Sequence, residues 1–166
     1  NDEFVIVSDA RSRISVYRQE SVDPANPDYA RRYGFLEYEG QYSHRQVQMH
    51  FLGDRYLMVS ASDRGNYFIY DLNKLEAAVQ EGVDLIAEKR VDLKLQKVDV
   101  LGDLMTASFS NRIEEHSVAD FIANDFTFPA PKKTISVVNG QPVRVLKDLH
   151  FNGQELITAK DGEIVI

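Results

Sequence analysis

His50, Asp99 and His150 each stand three residues before a glycine: Gly53, Gly102 and Gly153. Two imidazoles and a carboxylate are a donor set that holds Zn or Fe(II) at an open site, leaving positions for water or substrate. Five residues before the same glycines stand Gln48, Lys97 and Asp148. On a strand these share a face with the first three, because side chains alternate with a period of two. Glu114-Glu115-His116 also offers acid–base groups, with Glu114 and His116 on one face of a strand and Glu115 on the other. An exposed outer strand is the expectation for that triplet. Asp54, Asp63, Asp71 and Asp161 lack the Asp-x-Asp-x-Asp-Gly spacing of a calcium loop and are expected in hairpin turns. Neither a Gly-x-Ser-x-Gly elbow nor a Gly-rich phosphate loop occurs.

A second group of residues points to recognition. Segment 23–33 carries Pro24 and Pro27, then Tyr29, Arg31, Arg32 and Tyr33. Tyr and Arg are the residues enriched at protein–protein hot spots. This segment is therefore the expected binding surface for a protein partner. The remaining aromatics, from a total of 8 Tyr and 9 Phe with no Trp, are expected in the core. Net charge is −7 with no basic stripe, which argues against nucleic acid as a partner. There is no polybasic footprint and no run of about 18 apolar residues, so no membrane association is expected. There are no cysteines, which removes disulfides and thiol chemistry.

The three glycines belong to a phrase that recurs. HFLGDRYLMVSASD, DVLGDLMTASFS and HFNGQELITAKD begin at His50, Asp99 and His150, and their glycines lie 49 and 51 residues apart. NDEFVIVS at the start of the chain overlies GDRYLMVS of the first full copy. A period near 50 residues with several strands per copy is the signature of β-propeller blades. Fourteen strand candidates fit this reading, short and rich in Val, Ile, Tyr and Phe. They include Phe4–Ser8, Phe35–Tyr38, Tyr56–Ala61, Tyr67–Leu72 and Thr134–Val138. Many are apolar on both faces, as a blade sandwiched between neighbours requires. Asp, Asn, Gly and Ser clusters separate them, at residues 9–12, 62–66, 110–111 and 160–162. Short helical inserts are expected at Tyr29–Arg32, at Asn73–Gly82 with Asn73 as cap and Gly82 as stop, and at Val118–Asn124.

The expected architecture is all-β: a single incomplete propeller domain over residues 1–166, with about 3.5 four-stranded antiparallel blades. The repeats run approximately over 1–43, 44–93, 94–142 and 143–166. Fewer than about four blades cannot close a ring and would leave apolar faces and strand edges bare. The first copy starts at the hairpin after its innermost strand, so the remaining blades are expected from the same longer chain or from another chain. Two copies of three and a half blades would make seven.

The stretch Phe51–Leu72, FLGDRYLMVSASDRGNYFIYDL, resembles a WD-repeat or related propeller blade. An aromatic and a Gly-Asp hairpin lead into an apolar strand, a Ser/Asp/Gly turn follows, and Tyr70-Asp71 stands where Trp-Asp would be. Tyr17-Arg18 and His116-Ser117 hold the same place in the first and third copies, and the Gly-His dipeptide of WD repeats is absent. The resemblance is therefore to the broad, divergent propeller class, over essentially the whole chain. It implies a protein-binding or scaffolding module that needs no cofactor. The alternative is a propeller-class enzyme (hydrolase, lyase or lactonase-like). Its polar or divalent-metal site would use His50, Asp99 and His150 at the central channel. A wet channel lined by polar side chains gives the same pattern without a metal.

Overall fold

The computed structural model describes residues 3–8, 14–37, 47–61, 66–93, 95–138, 141–142, 148–151, 156–160 and 163–165. The first sheet is β1 (Phe4–Ser8), β2 (Ile14–Arg18) and β3 (Arg32–Leu36), in that order. The second holds β4 (Val47–Leu52), β5 (Tyr56–Ala61), β6 (Asn66–Asp71) and β7 (Lys89–Asp92). The third holds β8 (Lys97–Leu101), β9 (Leu104–Ser108), β10 (Ile113–Ser117) and β11 (Lys133–Ile135). A two-stranded ribbon, β12 (Val137–Val138) and β13 (Gln141–Pro142), precedes the last sheet of β14 (Asp148–Phe151), β15 (Leu156–Lys160) and β16 (Glu163–Val165). Every strand pair in these sheets is antiparallel between sequence neighbours. β4 lies beside β8, and β8 beside β14, so the first strands of the second, third and last sheets stand next to one another. Consecutive up-and-down sheets with adjacent inner strands are the arrangement of a partial β-propeller.

The second sheet shows why its strands are apolar on both faces. Leu57, Val59, Phe68 and Tyr70 face the first sheet and pack with Phe4, Ile14, Val16 and Leu36. Met58, Tyr67 and Ile69 face the third sheet and pack with Val98, Met105, Ala107 and Phe121. All six residues of β6 are buried. Burial at about 25 cal/mol per Å² of apolar surface is the dominant favourable contribution to folding, and here one strand supplies it on both sides.

Four local expectations are corrected. Tyr29–Arg32 is not a helical turn, and the third strand of the first sheet is Arg32–Leu36 rather than Phe35–Tyr38. Ala30 takes the left-handed backbone (φ 59°) and sends its N–H back to the Ser21 carbonyl (2.8 Å), which no helix over these residues allows. The only helical turn of that insert is a 3₁₀ turn at Gln19–Val22. In the second insert Asp71, not Asn73, is the cap, accepting the Asn73 N–H (3.1 Å) before a 3₁₀ turn at Leu72–Lys74. The helix α1 (Leu75–Glu81) follows and ends as expected at Gly82, in the left-handed region with φ 72°. Thr134–Val138 breaks at Ser136, separating β11 from β12. The third insert forms α2 (Val118–Ala123), capped by Ser117. Gly53 and Gly102 have φ of 62° and 59°, the left-handed backbone their hairpins demand. Gly153 and the turns expected at 9–12, 62–65 and 161–162 lie outside the described residues.

Candidate functional site

The three inserts leave their sheets from the same point, and that point is built the same way each time. Arg18, Asp71 and Ser117 end strands β2, β6 and β10 and pair with Phe4, Tyr56 and Leu104. The residue before each of those partners is Glu3, Arg55 or Asp103. Its carbonyl accepts the next backbone N–H each time: Gln19 (2.8 Å), Leu72 (2.9 Å) and Val118 (2.8 Å). Its side chain holds the strand-ending residue each time as well. Glu3 accepts from Arg18 (2.9 Å), Arg55 donates to both oxygens of Asp71 (3.0 and 2.6 Å), and Asp103 accepts from the Ser117 hydroxyl (2.8 Å). The Arg55 guanidinium, followed by the Asn73 N–H, holds the Asp71 carboxyl below its ordinary range. The Ala119 N–H and then the Ser117 hydroxyl do the same for Asp103.

In the first sheet this clip opens onto a pocket of about 340 Å³. Arg18 stacks on Tyr33 (4.3 Å to the ring centre) and lies 5.5 Å from the Phe4 ring. It also donates to the Tyr33 hydroxyl (2.9 Å), the main reason its pKa is raised. Arg31, Arg32 and Tyr33 line the same pocket, with Glu20, Ser21, Asn26, Asp28 and Val79. Arg31 is exposed and pairs with Asp28 (3.1 Å). The Arg32 guanidinium sits 3.9 Å over the Phe35 ring. Tyr29 is 55% exposed on the same loop but does not line the pocket. Thus three of the four predicted recognition residues converge, and the fourth flanks them. Sequence reasoning missed Arg18 and Val79. The charge reversal from Tyr70-Asp71 to Tyr17-Arg18 was the available signal for Arg18. Val79 reaches the pocket from α1, where it approaches Gly34 so closely that a Cβ there would lie 2.8 Å from its Cγ2.

His50, Asp99 and His150 lie on the adjacent inner strands β4, β8 and β14. Burial lowers the pKa of His50, with the charge of Asp99 and a backbone hydrogen bond to Val98 opposing it. Its Nε2 is buried without a hydrogen-bond partner. Gln48 accepts the Val98 N–H (3.2 Å), linking β4 to β8. The side chain of His150 lies outside the described residues. Among the described residues no three His, Asp or Glu side chains are grouped to hold a metal ion.

Glu114 and His116 do share a face, but not an exposed one. His116 is fully buried and Glu114 nearly so. Glu114 receives Arg112 at 2.6 Å and faces His116 Nε2 at 3.2 Å. Burial lowers the His116 pKa against the pull of Glu114, and its ring meets Phe128 edge-on at 5.0 Å. The guanidinium of Arg112 compensates the carboxylate, which is how a charged triplet enters the interior.

No protein-family profile and no curated protein matches this chain. Solved structures similar to it include Hsv2 from Kluyveromyces lactis, at 14% identity and a TM-score of 0.46 over 96% of this chain and 39% of that one. Apo AztD from Citrobacter koseri is similar at 15% identity and a TM-score of 0.45, over 85% of this chain and 33% of that one. The chain therefore spans about two-fifths and one-third of the length of these two structures. No described helix is long and apolar enough to cross a membrane.

Proposed function

We propose that the chain is a protein-binding or scaffolding module of the divergent, WD-repeat-like propeller class, and that the insert of the first sheet carries its recognition surface. One observation supports this above the others. Arg31, Arg32 and Tyr33 of that insert meet Arg18 around one pocket beside the exposed Tyr29. Rings and hydrogen bonds already hold Arg18 in place, so less ordering cost falls on association. Further blades, from the same chain or another, would complete the ring. A photo-crosslinking residue at position 29 is the direct test. It should trap a partner that one at position 83 does not. The purified pair should weaken at least tenfold on Tyr29→Ala or Arg31→Ala, with unchanged circular dichroism. No crosslink, or equal binding by both variants, would overturn the reading.

A second reading rests on His50, whose buried Nε2 has no partner and lies on the strand beside that of Asp99. A polar or divalent-metal site there, completed by His150, would make the chain a propeller-class hydrolase, lyase or lactonase-like enzyme. Metal analysis of the purified chain and of His50→Ala decides this reading. Identical metal content in the two removes it.

A further inference from the structure

We infer that the first-sheet pocket takes an acidic side chain, an Asp or Glu on an exposed segment of a protein partner. This rests on the binding reading above and narrows its chemistry. The chain carries 26 acidic against 19 basic residues, yet three of its eleven arginines line this one pocket. Arg18 uses one terminal nitrogen on Glu3 and the other on Tyr33, and is held flat against that ring. Arg31 gives a single nitrogen to a single oxygen of Asp28, in an exposed pair that solvent and salt weaken. Arg32 rests on an aromatic ring, and among the described residues no carboxylate pairs with it. A planar guanidinium presents parallel N–H donors that match a carboxylate in two-point contact.

The same pocket argues against a more highly charged anion. Glu20 and Asp28 stand in its wall, and the chain as a whole is negative, so a phosphate dianion meets more repulsion than a single carboxylate. Val79 and the Tyr33 ring supply apolar wall for the methylenes of an acidic side chain. The exposed Tyr29 offers a contact for an apolar residue beside it. The volume of about 340 Å³ falls in the range of small ligand sites, room for a side chain and part of its backbone.

Selection of a random heptapeptide display library on the full chain tests this. The expected winners carry Asp or Glu next to an apolar residue. A synthetic winner should lose at least tenfold in affinity when its acid becomes the amide. It should lose as much on Arg32→Ala, and less on Arg32→Lys. Binding should weaken as salt rises, while Lys132→Ala, just before β11 of the third sheet, leaves it unchanged. Circular dichroism of each variant reports folding separately. Winners without an acid that still fail on Tyr29→Ala would overturn the acidic preference and leave the binding reading standing. Winners indifferent to both Tyr29 and Arg32, or no winners at all, would overturn both. Displacement by inorganic phosphate or phosphatidylserine vesicles, but not by the free acidic peptide, would assign the pocket to a phosphate-bearing ligand instead.

Discussion

The first and second sheets close the same corner with the same ion pair turned around. In the second sheet the acid ends the strand: Asp71, 4% exposed at its side chain, with Arg55 reaching in from solvent. In the first the base ends the strand: Arg18, 33% exposed, with Glu3 outside. The backbone bond beside the pair is common to both, so the chain path does not explain the difference. Sign does. A buried carboxylate is consumed by the fold, because it also accepts the Asn73 N–H and starts the insert. A guanidinium in its place has no backbone donor to accept. It turns outward onto Tyr33 and becomes pocket wall. One corner of the repeat thus serves structure in one sheet and is open to a ligand in the next. The third sheet shows a neutral solution, in which the Ser117 hydroxyl is held by Asp103 and caps α2.

Asp71→Ala is the largest expected perturbation of this contrast. It removes a buried acceptor that satisfies a guanidinium and a backbone N–H together, and should cost on the order of 2–3 kcal/mol in urea unfolding. A loss below about 1 kcal/mol would mean that the two corners are energetically alike and that the reversal of sign carries no structural meaning.

Next comes Gly34→Val, which attacks the pocket from its other wall. Val79 lies 2.8 Å from where a Cβ would stand, so added volume must push α1 away from β3. Overpacking of this kind costs about 1–3 kcal/mol. It should also weaken any ligand of the pocket, because Val79 lines it, while the Arg55–Asp71 corner stays intact. A variant as stable as the parent, with unchanged binding, would show that α1 does not shape the pocket.

The propeller reading was legible because β5 and β6 carry unbroken apolar runs, Tyr56–Val59 and Tyr67–Tyr70, and only a sheet covered on both faces uses such strands. What escaped reading shares a different cause. Arg32 and Tyr33 open β3 without aliphatic alternation, since they settle through ring contacts with guanidinium groups. The cap at Asp71 was missed by two residues because the side chain that ends a strand also starts a helix. Glu114-Glu115-His116 read as exposed, yet Arg112 two residues earlier neutralises Glu114 and lets His116 sink. The pocket was legible in part. Arg31, Arg32 and Tyr33 are close in sequence, whereas Arg18 and Val79 arrive from across the sheet and from the next insert.

Acid should separate the buried histidines from the corner carboxylates. Burial depresses His50 and His116, so the native state binds fewer protons there than the unfolded chain does. Their contribution to stability is full above the ordinary histidine pKa of about 6.5 and is lost as pH falls below it, by at most about 1.4 kcal/mol per pH unit for each group. Asp71 and Asp103 are depressed as well, and their contributions are lost only below about pH 4. Chemical unfolding at stepped pH should therefore show two declines. His116→Gln should reduce the upper one and leave the lower one in place. An unchanged upper decline would mean that His116 is not held neutral inside the third sheet.

Glu3→Ala should have the smallest effect and is the sharpest test of the contrast. Glu3 is 56% exposed, and a surface pair of this kind contributes about 0–1 kcal/mol. Arg18 keeps its place on Tyr33 when Glu3 is removed, through the hydroxyl bond and the ring. Stability should therefore fall by less than about 1 kcal/mol. A carboxylate-bearing peptide bound in the pocket should tighten, because the Nη1 of Arg18 is released to it and a competing acid has gone. A large loss of stability would make the first corner as structural as the second. Weaker peptide binding would mean that Glu3 positions Arg18 rather than competes for it.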